Sequence, residues 1–162
     1  MPRVILGIAV VSLIAGCNGS GGVPSHVDAK ATAECFRGLS GYIEPDANGG
    51  YDVRSGIAVT GVDHITASEA IFPALAESEF IMVLWYPQKN PENSSQLQLW
   101  VTRNDRVAQK ALAAEMANDR SGGSPAAELR RDEYRIHNAF FFWNRDGHTS
   151  AYDRQARGCL RG

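Results

Sequence analysis

Apolar and polar positions divide the 162-residue chain into an opening apolar run and a series of shorter patterned segments. Val4 to Ala15 is apolar apart from Ser12. It is shorter than the ~20 residues a transmembrane helix needs and fits the ~7–15 residues of a secretion-signal core. Residues 18–26 then carry Gly, Ser and Pro with little apolar content. Val27, Ala31 and Cys35 recur at helical spacing with Phe36 and Leu39 beside them. Asp28 as N-cap and Gly38 as stop therefore predict a first helix. Gly41 to Ile43 and Tyr51 to Thr60 read as extended segments around a Gly-rich turn. Thr66 and Glu69 match a capping box, which predicts a short helix over 67–78 with a kink or restart at Pro73.

Phe80 to Tyr86 is apolar on both faces and predicts a central strand. Gln96 to Thr102 alternates, with Leu97, Leu99 and Val101 on one side and Trp100 on the other, as in a half-buried antiparallel strand. Asn104 or Asp105 caps a helix through about Asn118, with Val107, Ala108, Ala111, Leu112 and Met116 as its apolar stripe. Tyr134 to Trp143 reads as one further strand, and Asp146 and Gly147 as a turn. Tyr152, Ala156, Cys159 and Leu160 stripe a last helix over 150–159. The order predicts an α+β fold: a single two-layer domain whose antiparallel-rich sheet carries packed helices, with the N- and C-terminal helices adjacent.

The end of the opening run adds chemistry. Leu13, Ile14, Ala15, Gly16 and Cys17 place an apolar residue and small residues directly before a cysteine. This resembles the lipobox of bacterial lipoproteins, and Arg3 supplies the positive start of a signal peptide. The resemblance implies cleavage before Cys17 and attachment of a diacylglycerol to its thiol. Residues 1–16 are then the signal peptide, 17–27 a lipidated flexible tether and 28–162 the globular domain. Two or three acyl chains hold a protein on a bilayer where one does not. Nine tether residues reach about 15–18 Å. Asn18, where an Asp would signal inner-membrane retention in a Gram-negative cell, implies export to the outer membrane. In a cell without one, the anchor lies on the outer face of the cytoplasmic membrane. The mature pattern, with a cysteine in each terminal helix, also resembles small actinobacterial lipoproteins, a likeness that implies no activity.

Removing the signal's one Arg leaves 15 basic against 18 acidic side chains, a net charge of −3. That is no footprint for nucleic acid, and no run of the sequence is polybasic. Beyond Cys17, two cysteines remain, Cys35 and Cys159. An oxidising compartment favours a disulfide between them, worth at most about 4–5 kcal/mol for a loop of this length. Two free thiols are the other reading. Their isolation does not suit a zinc motif.

Catalytic signatures are missing from the sequence: there is no nucleophile elbow, P-loop, His-Glu-x-x-His or Cys-x-x-Cys. His26 lies in the tether, His64 in a loop, His137 in a strand and His148 after a turn, at spacings that define no ligand set. No catalytic residue, metal or cofactor is therefore assigned. Trp85, Trp100 and Trp143 all fall near strand ends. If their strands are neighbours, the indoles share the sheet's second face as a candidate binding patch; a helix over that face makes them a second core layer instead. The expectation is a lipid-anchored envelope protein, held to the membrane by its lipid, whose domain binds another envelope protein or a small apolar ligand. An envelope hydrolase remains the alternative, recognisable by a cleft with His64, His137 or His148 beside a Ser or carboxylate. A purely structural lipoprotein is the third reading.

Overall fold

The computed structural model describes residues 25–44, 56–70, 73–86, 94–121, 135–143 and 149–162. They form helices α1 (Ala29–Arg37), α2 (Asp105–Ser121) and α3 (Ser150–Arg161), a 3-10 turn at Pro73–Leu75, and six strands. The strands are β1 (Gly56–Val59), β2 (Asp63–Ile65), β3 (Ser78–Tyr86), β4 (Ser95–Val101), β5 (Arg135–Ile136) and β6 (Ala139–Trp143). The sheet runs β1-β3-β4-β6-β5, with β2 also paired to β3, and every strand pair is antiparallel.

The apolar run at 80–86 takes the central position expected of it. β3 pairs with β1 and β2 on one side and β4 on the other. Thr60 bridges the two short partners: its N–H donates to the Met82 carbonyl at 2.9 Å, and its hydroxyl accepts from the Met82 N–H at 2.9 Å. Tyr42 adds a parallel bridge to Ile57 beyond β1. Gly56 permits this approach, because a Cβ there would fall 2.4 Å from the Gly41 carbonyl oxygen.

Register sorts the side chains into two cores, since directly opposed residues share a face. Ile57, Val59, Ile81, Val83, Trp85, Leu97, Leu99 and Phe141 face α1 and α3. Phe80, Trp100, Phe140 and Phe142 face α2 and the 3-10 turn, whose Ala108, Ala111, Leu112, Met116 and Leu75 complete a smaller core. The α+β class, the antiparallel sheet and the adjacent terminal helices are as expected. The helices, however, lie on both faces of the sheet, where two layers were expected.

The terminal helices meet through the disulfide Cys35–Cys159, with Cα atoms 5.5 Å apart. The Asp28 carboxylate caps α1, accepting from the Ala31 N–H at 2.7 Å, and Gly38 ends it. Thr149 caps α3 in the same way through the Tyr152 N–H. The α1 stripe is rotated from its expected place: Ala29, Thr32, Ala33 and Phe36 are buried, while Ala31 and Cys35 are exposed. Asn104 caps α2 by accepting from the Val107 N–H at 3.0 Å.

Three local expectations are corrected. The helix over 67–78 does not form. Thr66 and Glu69 bond as a capping box does, the Thr66 N–H donating to the Glu69 carboxylate at 3.0 Å, and one turn closes from the Ala70 N–H to the Thr66 carbonyl. Propagation from so short a nucleus stops before Pro73, which lacks an N–H and starts the 3-10 turn instead. Ser78 then enters the sheet. Residues 63–65, expected as a loop, form the edge strand β2. The segment expected as one strand from Tyr134 to Trp143 folds back at His137 and Asn138 into the hairpin β5–β6. His137 adopts a left-handed φ of 50° there. The expected turn at Asp146 and Gly147 lies outside the described residues, as do Tyr134 and the Gly-rich turn before β1.

Candidate functional site

The three tryptophans do not share a face. Trp85 and Trp143 lie on the α1/α3 side, because Trp143 stands opposite Leu97 and Leu97 opposite Val83. Trp100 lies on the α2 side, opposite Phe80 and Phe140. Parity within each strand was readable in advance; the pairing between strands was not, and it overturns the expected common face. Trp85 is 1% exposed and sits among Phe36, Trp143 and Tyr152, with ring centroids at 5.9, 5.1 and 5.5 Å. Its indole N–H donates to Gln155 at 3.0 Å. Trp100 stacks on Phe140 at 5.3 Å with 8° between the rings. Both are packing residues of their own core, and Trp143 is half-buried beside Trp85.

The histidines are dispersed. His64 lies on β2 with its Nε2 3.2 Å from a Glu77 carboxylate oxygen, and both side chains are more than half exposed. The pair lies at β2, which among the described strands is bonded only to β3. Glu69, close by, has its carboxyl held below the usual range, first by the Thr66 hydroxyl, then by the Thr66 N–H, with a further contribution from His64. His137 occupies the β5–β6 turn, and His148 lies outside the described residues. Among the described residues no group of three His, Cys, Asp or Glu side chains could hold a metal ion. No helix among them is long and apolar enough to cross a membrane.

The most constrained polar site lies where the expected tether meets the domain. Asn138 is fully buried. Its Oδ1 accepts from the Val27 N–H at 2.6 Å, and its Nδ2 donates to the Val27 carbonyl at 3.0 Å and to the Thr102 carbonyl at 2.8 Å. The side-chain amide thus pairs with Val27 as a neighbouring peptide would. Thr102 closes the network, its N–H and its hydroxyl both donating to the Asn138 carbonyl at 2.8 and 2.9 Å. Val27 is 2% exposed, whereas His26 before it is exposed. Val27 is therefore held at one fixed point between the end of β4 and the β5–β6 turn.

Sequence pattern alone does not point to this clamp, and His26, expected in the tether, stands at its rim with Nε2 3.5 Å from Asn138 Nδ2. One signal was available: a lone Asn inside an aromatic run, a residue that favours turns and bonds peptide groups with its side chain. The two cysteines expected to pair do so. That leaves Cys17 as the third cysteine of the chain, outside the described residues. Comparison with protein-family models, curated proteins and solved structures found no match.

Proposed function

We propose that the protein is a lipid-anchored lipoprotein of the bacterial cell envelope, whose folded domain serves binding or interaction and not catalysis. The observation that carries the reading is the Leu13 to Cys17 sequence at the end of a signal-like apolar run. The disulfide supports it. A cross-link between residues 124 apart in sequence suits an oxidising compartment, and it uses both cysteines other than Cys17. By this reading the partner is another envelope protein or a small apolar ligand, and the membrane is engaged through the lipid.

Growth of an expressing bacterium on a clickable palmitate analogue tests the anchor. The full chain should take up label and sediment with membranes, and Cys17→Ala should do neither. Equal labelling of the Cys17→Ala chain, or none in either, would overturn the reading.

A further inference from the structure

No run of the sequence is polybasic, yet the fold gathers basic side chains around the point where the chain enters the domain. Arg103 directly follows Thr102, which is bonded to the clamp residue Asn138. Arg103 and Arg106 are exposed at the start of α2, and Lys30 is exposed on the first turn of α1, three residues after Val27. Arg135 on β5 donates to the His137 carbonyl at 3.1 Å, one residue from Asn138, and stands 3.8 Å from Asp105. Among the described residues two carboxylates share this sector: Asp28, engaged as the α1 cap, and Asp105.

The opposite margin of the same sheet end has the reverse sign. Asp63, Glu69 and Glu77 are exposed around β2, with Glu79 half-buried beside them and His64 as the basic side chain there among the described residues. Register places both groups at one end, since Glu79 stands opposite Val101 and Val101 opposite Ala139. The end of the domain from which the expected tether leaves is therefore positive toward α2 and β5 and negative toward β2.

We propose that Lys30, Arg103, Arg106 and Arg135 form the face that the anchored domain lays on an anionic phospholipid surface, with the β2 margin turned away. The proposal rests on the lipid-anchor reading. Guanidinium groups match phosphate oxygens in a bidentate fork, and a surface of anionic headgroups attracts basic side chains within a screening length of about 8 Å. A tether reaching about 15–18 Å keeps the domain near that range. The anchor has already localised the domain, so a modest attraction suffices to orient it. The clamp at Val27 fixes the point on the domain from which the tether departs, beside these basic side chains.

Arginine footprinting tests this on the full chain, extracted in detergent and reconstituted into vesicles. One set holds phosphatidylcholine alone and the other phosphatidylcholine with phosphatidylglycerol. Phenylglyoxal modification is read residue by residue by mass spectrometry, with exposed Arg154 on α3, beside the Trp85 partner Gln155, as reference. Arg103 and Arg106 should react several-fold more slowly on the anionic vesicles than on the neutral ones. Arg154 should be unchanged, and high salt should erase the difference. Flotation separates the two ideas. Flotation with both vesicle types but equal reaction at Arg103 and Arg106, or protection of Arg154 instead, overturns the orientation and leaves the anchor standing. Flotation with anionic vesicles alone, with Arg103 and Arg106 protected, supports the basic face and overturns the anchor. Flotation with neither overturns both.

Discussion

The two faces of the sheet are built from different parts of the chain. On one, α1 and α3 bring residues near the start and end of the described chain onto the strands, with Val27, Phe36, Ala156 and Leu160 in one core and a disulfide across it. On the other, α2 follows β4 directly and precedes β5, so its core of Trp100, Phe140, Leu112 and Met116 joins segments that are neighbours in sequence. The first face must close a loop of more than a hundred residues, a large entropic cost that the cross-link lowers by restricting the unfolded chain. The second closes shorter separations, such as Leu75 to Leu112 and Trp100 to Phe140, with no disulfide among its described residues. Covalent reinforcement lies where topology costs most.

Removing Trp85 should break the first face most severely. Trp85→Ala leaves Phe36, Trp143 and Tyr152 around a cavity, and we expect a loss of about 3–5 kcal/mol in denaturant unfolding. Replacing both Cys35 and Cys159 with Ser should cost about 2–5 kcal/mol. Hydrogen exchange should then quicken in α1 and α3 well before α2; equal quickening in all three would show the faces to be one cooperative unit. Asn138→Ala strands both peptide groups of Val27 and the Thr102 carbonyl. At about 1–3 kcal/mol for each buried group left unpaired, we expect about 3 kcal/mol, with proteolysis newly admitted near His26.

A smaller effect of opposite sign should come from Gly158. A Cβ there meets nothing within 4 Å on α3, so Gly158→Ala should stabilise the cross-linked face by about 0.5–1 kcal/mol, read as a raised thermal midpoint. The smallest test lies beside the α2 face. Thr66→Val removes the hydroxyl that contributes most to holding the Glu69 carboxyl low, so its NMR titration should move up toward the ordinary range. A lowered folded-state value means that this interaction favours folding at neutral pH and is lost as pH falls through that value. The Thr66→Val chain should therefore depend less on acid in that window.

Much of this frame was legible in the sequence because burial leaves a periodic trace. The apolar run at 80–86 could only be central, the alternation at 96–102 gave β4, and Asp28, Gly38 and Asn104 marked helix ends through their capping chemistry. Cys35 and Cys159 were readable as a pair from compartment and count. What escaped depends on contacts between distant residues. β2 is three residues at an edge and carries no apolar pattern. The turn at His137 and Asn138 contains no Gly or Pro and is hidden in an aromatic run, while the burial that fixes Asn138 comes from Val27 and Thr102. Parity gave each tryptophan's side of its own strand, but only the register of Leu97 with Trp143 shows which indoles meet. The proposed basic face escaped for the same reason, since Arg135 meets the start of α2 only through Asp105, thirty residues away in sequence.

The intact mass of the protein extracted from membranes reads the proposed anchor at Cys17 and the Cys35–Cys159 cross-link together. A chain that begins at Cys17, carries the added mass of a diacylglycerol and is two hydrogens lighter than its reduced form is expected. A species that retains residues 1–16, or one cut elsewhere without lipid, would contradict it.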